Sequence, residues 1–389
     1  RYSLSSFLVM NLKKHILKIF CLLFLPLIIA CVSQPEIRVE LLPRYDALFN
    51  NEKGWTGGDS VYSLALADNV ILWLFGDTWV GEIRDGRHVN ATIINNSIAI
   101  QRELFPPGAT VEFYSGKTPD GTPQAFILPA DSNGWFWIYH GALSPDGLYL
   151  FLMQIDRTDA ALSFGFEVIG TWLGHIANFR DPPARWRIVQ HKIPWSSFSS
   201  AGENFFGSWV LKKDGFFFIY GIAEEVVNGV HKKFMILARA PETGLAHFDQ
   251  WRFYTKGQWK ADFTRAEHLC GNMANEYSVS FIAALEKYVA VYTENGISKN
   301  IVARVAPNPW GPWSKPVILF QCPEVSRNET IYCYAAKGHP DISIKPYELI
   351  VSYVANSTDF EKMAEDASLY RPRFLRVRFA KDALDKPLK

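Results

Sequence analysis

Five times along the chain one pattern recurs: an apolar strand, a tight polar turn, and a second apolar strand ending in small or polar residues. The copies are SVYSLAL-ADN-VILWLFGDT, FWIYHGAL-SPDG-LYLFLMQI, FFGSWVL-KKDG-FFFIYGIA, YSVSFIAA-LEK-YVAVYTE and DISI-KP-YELIVSYVA. Their turns fall near Asp68, Asp146, Asp214, Glu286 and Pro346, a spacing of roughly 60 to 80 residues. That period is longer than one hairpin and shorter than an independent domain, so it points to stacked sheets. One such unit cannot bury both of its faces alone. The pattern therefore predicts an all-β, five-bladed β-propeller whose innermost strands line one axial pocket.

The ends of the chain suggest how such a ring would close. EIRVELL near the N-terminus and LYRPRFLRVRF near the C-terminus both read as strands, and their pairing would join first and last segments. The blades are expected at about 55–104, 111–189, 202–254, 270–320 and 336–379. Links such as PNPWGPWSKP (307–316) read as turns between blades. Helical periodicity is nearly absent, with one short helix expected within 357–367.

Before the repeats, Met10 is followed by Lys13, Lys14 and Lys18 and then by an apolar run to Ala30 and Cys31. A basic segment before a dozen apolar residues is the pattern of a secretory signal, too short to span a bilayer comfortably. The residues before Met10 read as upstream read-through. Leu27-Ile28-Ile29-Ala30-Cys31 is similar to a bacterial lipobox, which would lipidate Cys31; an ordinary cleaved signal with a chance cysteine is the alternative. The expected division is 1–31 signal, 32–44 tether and closing strand, and 45–389 propeller. The place would be the periplasm or cell surface, with the membrane met through the lipid anchor only. Net charge is +1, and no basic patch suggests nucleic acid. The expected partner is a polysaccharide or oligosaccharide, bound by a monomer. Cys322 and Cys333 bracket a loop and could form a disulfide, leaving Cys270 odd.

The sharpest chemical signal lies in the first repeat. Gly57-Gly58-Asp59 precedes the first strand, Phe75-Gly76-Asp77-Thr78 follows the second, and residue 68 lies midway between the aspartates. Residues equidistant from a hairpin turn face each other, so Asp59 and Asp77 would have Cβ atoms ~5 Å apart. Like charges so placed raise one carboxyl pKa, giving a protonated acid beside an ionised base. Glycoside hydrolysis needs such a pair. The alternatives are that the aspartates cap turns, or that a register one residue over sends them to opposite faces.

Other repeats carry polar residues at comparable positions. Glu276 is expected as a third carboxylate that orients sugar hydroxyls or substitutes as acid. Glu203, Asn96, His140, His339, Asp341 and Tyr277 are expected to line the pocket and contact substrate. No cofactor is expected and no metal-binding motif is present, although Asp, Glu, Asn and His could ring an axial Ca²⁺. Nucleophilic serine catalysis lacks its elbow motif, and no phosphate-binding glycine loop occurs.

With GGDSVYSLAL, LWLFGDTWVG, NNSIAIQ and GHPDIS (338–343), the sequence resembles a group of secreted five-bladed β-propellers related to endo-D-arabinanases, and more distantly to fructosidase- and levansucrase-type propellers. The resemblance implies hydrolysis of a furanose-containing or related glycan, and maps that group's first-blade catalytic aspartates onto Asp59 and Asp77. GGDS stands where the arabinanases have an Asp-Leu-Gly form, and FGDTW replaces FGDTF, so the resemblance does not name the sugar. A lipid-anchored glycoside hydrolase is the leading expectation. A glycan-binding lipoprotein without catalysis, or a structural propeller of the cell envelope, are the alternatives.

Overall fold

The computed structural model describes residues 37–159 and 165–380. The signal-like segment, Cys31 and the first residues of the expected tether lie outside them. The described chain is almost wholly β-structure, and five large sheets follow one another in sequence.

The first large sheet orders Tyr62–Ala67, Val70–Phe75, Ser97–Arg102 and Thr110–Tyr114. The second orders Trp135–Ser144, Gly147–Arg157, Phe166–Ile176 and Val189–Lys192. The third is built on the long strands Gly202–Lys213, Phe216–Val227 and Val230–Pro241. Tyr277–Ile282, Lys287–Thr293, Asn300–Ala306 and Val317–Gln321 form the fourth. Ile331–His339, Glu348–Ser357 and Pro372–Phe379 form the fifth, whose outer edge is Ile37–Leu41 from the start of the described chain. That edge strand pairs antiparallel from Ile37↔Phe379 to Leu41↔Leu375.

Local chemistry explains the hairpins. Asp85-Gly86, Asp214-Gly215 and Asn228-Gly229 each put two successive residues at positive φ. That is the backbone of the two-residue turn whose twist matches paired strands, and Asn or Asp followed by Gly reaches it at least cost. The strands are apolar on both faces in the interior of the molecule. Gly147–Arg157, for example, buries its residues from Gly147 to Ile155, as expected where a sheet is covered on both sides.

The first strands of the five sheets lie side by side. Each packs on the next, and the fifth meets the first, where His339 Nδ1 lies 2.9 Å from Ser63 Oγ. Apolar clusters between the sheets exclude water from this centre. The segment after the edge strand helps seal the join of the last and first sheets. Tyr45 and Phe49 are buried there, with ring centroids 4.7 and 5.3 Å from that of Phe374. Among the described residues the longest helical turn, Phe360–Glu365, falls inside the expected 357–367 and is capped by the Asp359 carboxylate.

Several boundaries differ from expectation. Thr110–Tyr114 completes the first sheet instead of opening the second. Trp55 belongs to a separate three-stranded sheet, Lys53–Gly58, Thr78–Arg84 and Arg87–Ile94. Cys270–Gly271 pairs with the third sheet, not the fourth. Cys322 and Cys333 are buried neighbours but remain free thiols, as does Cys270.

Candidate active site

The first hairpin is longer than one sheet, and the two aspartates sit at its break. Below the break Tyr62 pairs with Leu74, and above it Gly58 pairs with Thr78, so both pairings are equidistant from residue 68. The register therefore survives, although the two strands leave one sheet and enter another. Asp59 and Asp77 face each other at that junction, where the Asp59 N–H donates to the Asp77 carbonyl at 3.2 Å. The turn itself closes on Asp68-Asn69 with a bulge between Ala65 and Ala67.

The break is built from strained backbone. Ser60 and Val61 lie at φ 62° and 58°, and nearby Ala335 and Tyr370 at 56° and 59°. Elsewhere this region is filled mainly by Asn or Asp in turns. A β-branched valine there is a true outlier, and such strain concentrates at functional sites. Gly76 has its own reason to be glycine: a Cβ at that position would come within 2.5 Å of Asp59 Oδ1.

Each carboxylate has distinct partners. Asp59 Oδ2 accepts the phenolic O–H of Tyr334 at 2.7 Å and of Tyr370 at 2.8 Å. Asp77 Oδ1 accepts the indole N–H of Trp137 at 2.8 Å and the Asn95 amide at 3.4 Å. Glu276 Oε2 accepts the ammonium of Lys337 at 2.8 Å. All three acids are half-buried, so each reaches solvent from within the protein. Burial raises the Asp59 pKa well above the usual carboxylate range, and the charges of Asp77 and Glu276 push it further; the two tyrosines oppose this without outweighing it. Asp77 is raised to about 6, chiefly by burial, against the Trp137 and Asn95 hydrogen bonds. The pair therefore loses its protons in two steps, one carboxyl keeping a proton after the other has lost it.

The remaining expected site residues separate into two groups. Glu203 is half-buried, and burial followed by Glu224 raises its pKa. Its charge is felt by buried Tyr139, as are those of Glu276 and Asp59, which brings Glu203 to the same end of the strands. Asp341 accepts the Ala65 N–H at 3.1 Å and lines a cavity of about 240 Å³ toward the far end of the first strands, together with His140 and Trp209. It stands apart from the carboxylate pair.

Asn96, His140, His339 and Tyr277 are each buried and bonded to protein. Asn96 donates to the carbonyls of Ile127 and Phe136 and accepts the Ile127 N–H. His140 stacks on Trp209 at 3.8 Å, accepts the Val210 N–H and lies 3.2 Å from the Ser63 carbonyl. His339 bridges Ser63 and Ser352, and the Tyr277 hydroxyl donates to the Gly221 carbonyl. These side chains tie neighbouring sheets together.

Sequence reasoning missed Tyr334, Tyr370, Trp137, Asn95 and Lys337. Only Lys337 carried a local signal, as a lone charge inside the apolar run YAAKGH. Among the described residues, no cluster of three or more His, Cys, Asp or Glu is arranged to hold a metal ion.

The model of the family described as domain of unknown function DUF5005 matches residues 43–379. No curated protein matches the sequence. Among solved structures, a Bacteroides ovatus ATCC 8483 protein, provisionally described as a hydrolase, aligns at 19% identity over 90% of this chain and 93% of that one, with TM-score 0.72. This likeness is one of fold. A thermostable family-43 glycoside hydrolase aligns at 14% identity over 87% of this chain and 97% of that one, with TM-score 0.44. The endo-arabinase of Bacteroides thetaiotaomicron VPI-5482 aligns at 13% identity over 83% and 95%, again at 0.44.

Proposed function

We propose that this chain, which belongs to the DUF5005 family, is a glycoside hydrolase with Asp59 and Asp77 as its working pair. The observation that carries the reading is their register. Two half-buried carboxyls face each other across a strained break in one hairpin, and their surroundings pull their protonation apart.

In this reading Asp59 holds a proton near neutral pH and delivers it to the glycosidic oxygen as the bond from the anomeric carbon breaks. Asp77, ionised above about pH 6, accepts the proton of the attacking water. The products are a sugar hemiacetal and an alcohol, and the cycle closes when Asp77 releases its proton to solvent and Asp59 takes one up. Glu276, paired with Lys337, accepts hydrogen bonds from sugar hydroxyls. Glu203 would extend the subsite at the same end of the strands.

The fold is read as a five-bladed propeller, with Ile37–Leu41 on Pro372–Phe379 as its closure. The substrate is read as a furanose-containing or related polysaccharide, reached outside the cytoplasm by a protein anchored through Cys31. No resident metal is part of this mechanism.

The test is release of reducing sugar from arabinans, arabinogalactans, xylans, galactans and fructans by the purified protein, with Asp77→Asn as control. Release that disappears in the variant supports the assignment. Retarded migration in glycan gels without release would replace hydrolysis by binding alone.

A further inference from the structure

Lys337 is the one fully buried cation at the candidate site among the described residues, and its surroundings are unusually specific. Its side chain has no exposure. Nζ donates to the Ser60 carbonyl, to the Ala335 carbonyl at 2.8 Å and to Glu276 Oε2 at 2.8 Å, and it lies 4.3 Å from the centroid of the Tyr62 ring. An ammonium has three N–H donors, so every donor is used, and the ring face covers the charge.

Two of the acceptors belong to strained residues. Ser60 and Ala335 are both left-handed without being glycine. Ser60 follows Asp59, and Ala335 follows Tyr334, whose hydroxyl bonds Asp59. The third acceptor is Glu276 itself. One ammonium therefore touches the backbone beside one member of the acid pair, the backbone beside that acid's hydrogen-bond donor, and the third carboxylate. Its charge also reaches His140 and His339, which burial already holds neutral. The groups facing it are thus Glu276, Asp59, Tyr62 and these two histidines.

We propose that Lys337 is the internal cation of the site, a positioning residue that locks Asp59, Tyr334 and Glu276 in one arrangement and supplies the positive charge against which their protons are distributed. Its catalytic half rests on the hydrolase reading above; its clamping half does not. Removing the charge leaves Glu276 without its counter-ion in a half-buried site, so the acid cluster takes up a proton at a higher pH than before. Removing the donors frees the Ser60 and Ala335 carbonyls and loosens the strand that aims Asp59. Misplacement of a reacting group by about 1 Å costs ~100-fold in rate.

The experiment combines two variants and two readouts. Lys337→Met keeps the volume and removes the charge. Its kcat should fall ~100-fold with a smaller change in KM, and the alkaline limb of its pH–rate profile, set by Asp59, should move to higher pH. A purely structural lysine would lower the melting temperature and leave that limb in place.

Lys337→Ala leaves room for an added amine. n-Propylammonium should raise its melting temperature and restore part of its activity, whereas n-propanol, its neutral analogue, should not. The wild type should not respond, and the response should vanish in Lys337→Ala/Glu276→Gln. If Lys337→Ala folds poorly, its refolding yield with and without n-propylammonium gives the same comparison.

A wild-type kcat and pH profile in Lys337→Met would overturn the catalytic half, and equal effects of amine and alcohol the clamp. If no glycan is cleaved, or if Asp59→Asn and Asp77→Asn cleave as wild type does, the hydrolase reading fails. The thermal and refolding responses to the amine still decide the clamp.

Discussion

Two polar regions share the central strands, one at their entrances and one inside them, and they differ in what their side chains have left to offer. At one end Asp59, Asp77 and Glu276 are half-buried, carry raised or cation-paired carboxyls and stand on strained backbone. Farther along, His140 and His339 are fully enclosed, and both ring nitrogens of each meet a protein partner. Polarity on an inner strand therefore does not mark function. A residue whose hydrogen bonds are all met by protein holds sheets together, whereas one kept close to like charge and open to water can work on a substrate.

The largest expected effect separates the two regions outright. Asp59→Asn and Asp77→Asn should each lower kcat by ~10²- to 10⁴-fold while the far-ultraviolet circular dichroism of the wild type is kept. A variant that cleaves normally would remove its residue from the pair.

His339→Ala should do the reverse. Losing a buried ring that bridges Ser63 and Ser352 should cost about 2–4 kcal/mol in urea unfolding, through a cavity and two unpaired hydroxyls. The kcat of the folded fraction should stay unchanged. A large kcat loss with unaltered stability would move His339 into the working site.

A pH series sharpens the contrast. Because Asp77 titrates higher in the folded protein than in the unfolded chain, the native state binds more protons between about pH 4 and 6. The favourable contribution of this group is whole below that window and is lost as pH rises through it. Asp77→Asn should therefore flatten the decline of melting temperature between pH 4 and 6. His140→Phe should steepen it, because burial holds His140 neutral down to about pH 3 while the unfolded chain protonates it in that window. Parallel curves for wild type and Asp77→Asn would contradict the raised pKa.

The smallest effect concerns a donor. Trp137→Phe removes a hydrogen bond that favours the ionised Asp77, so the acid limb of the pH–rate profile should shift upward with little change at its plateau. A downward shift would mean that desolvation by the indole matters more than its N–H.

How much of this was legible beforehand follows from the range of each interaction. The Asp59–Asp77 relation could be read because a hairpin register is local: the turn at Asp68-Asn69 fixes partners on both sides, even across the break between sheets. Glu276 was recognisable as an acid before an inner strand, but its bond to Lys337 was not. Tyr334 and Tyr370 reach Asp59 from 275 and 311 residues away, and no periodicity links such positions. The bonds of Asn96 and His140 were hidden for the same reason. Their partners, Phe136 for one and Val210 for the other, come from neighbouring sheets.

The sequence alone determined the repeated hairpins, the strand-rich class and the facing aspartates, since each depends on alternation, turn chemistry and counting along a short stretch of chain. Tertiary structure decided which buried polar groups are satisfied, which carboxyl is raised most, and that one lysine joins three of the site's parts. Those properties depend on burial and on the distances between charges brought together from separate sheets, and neither exists until the sheets have packed.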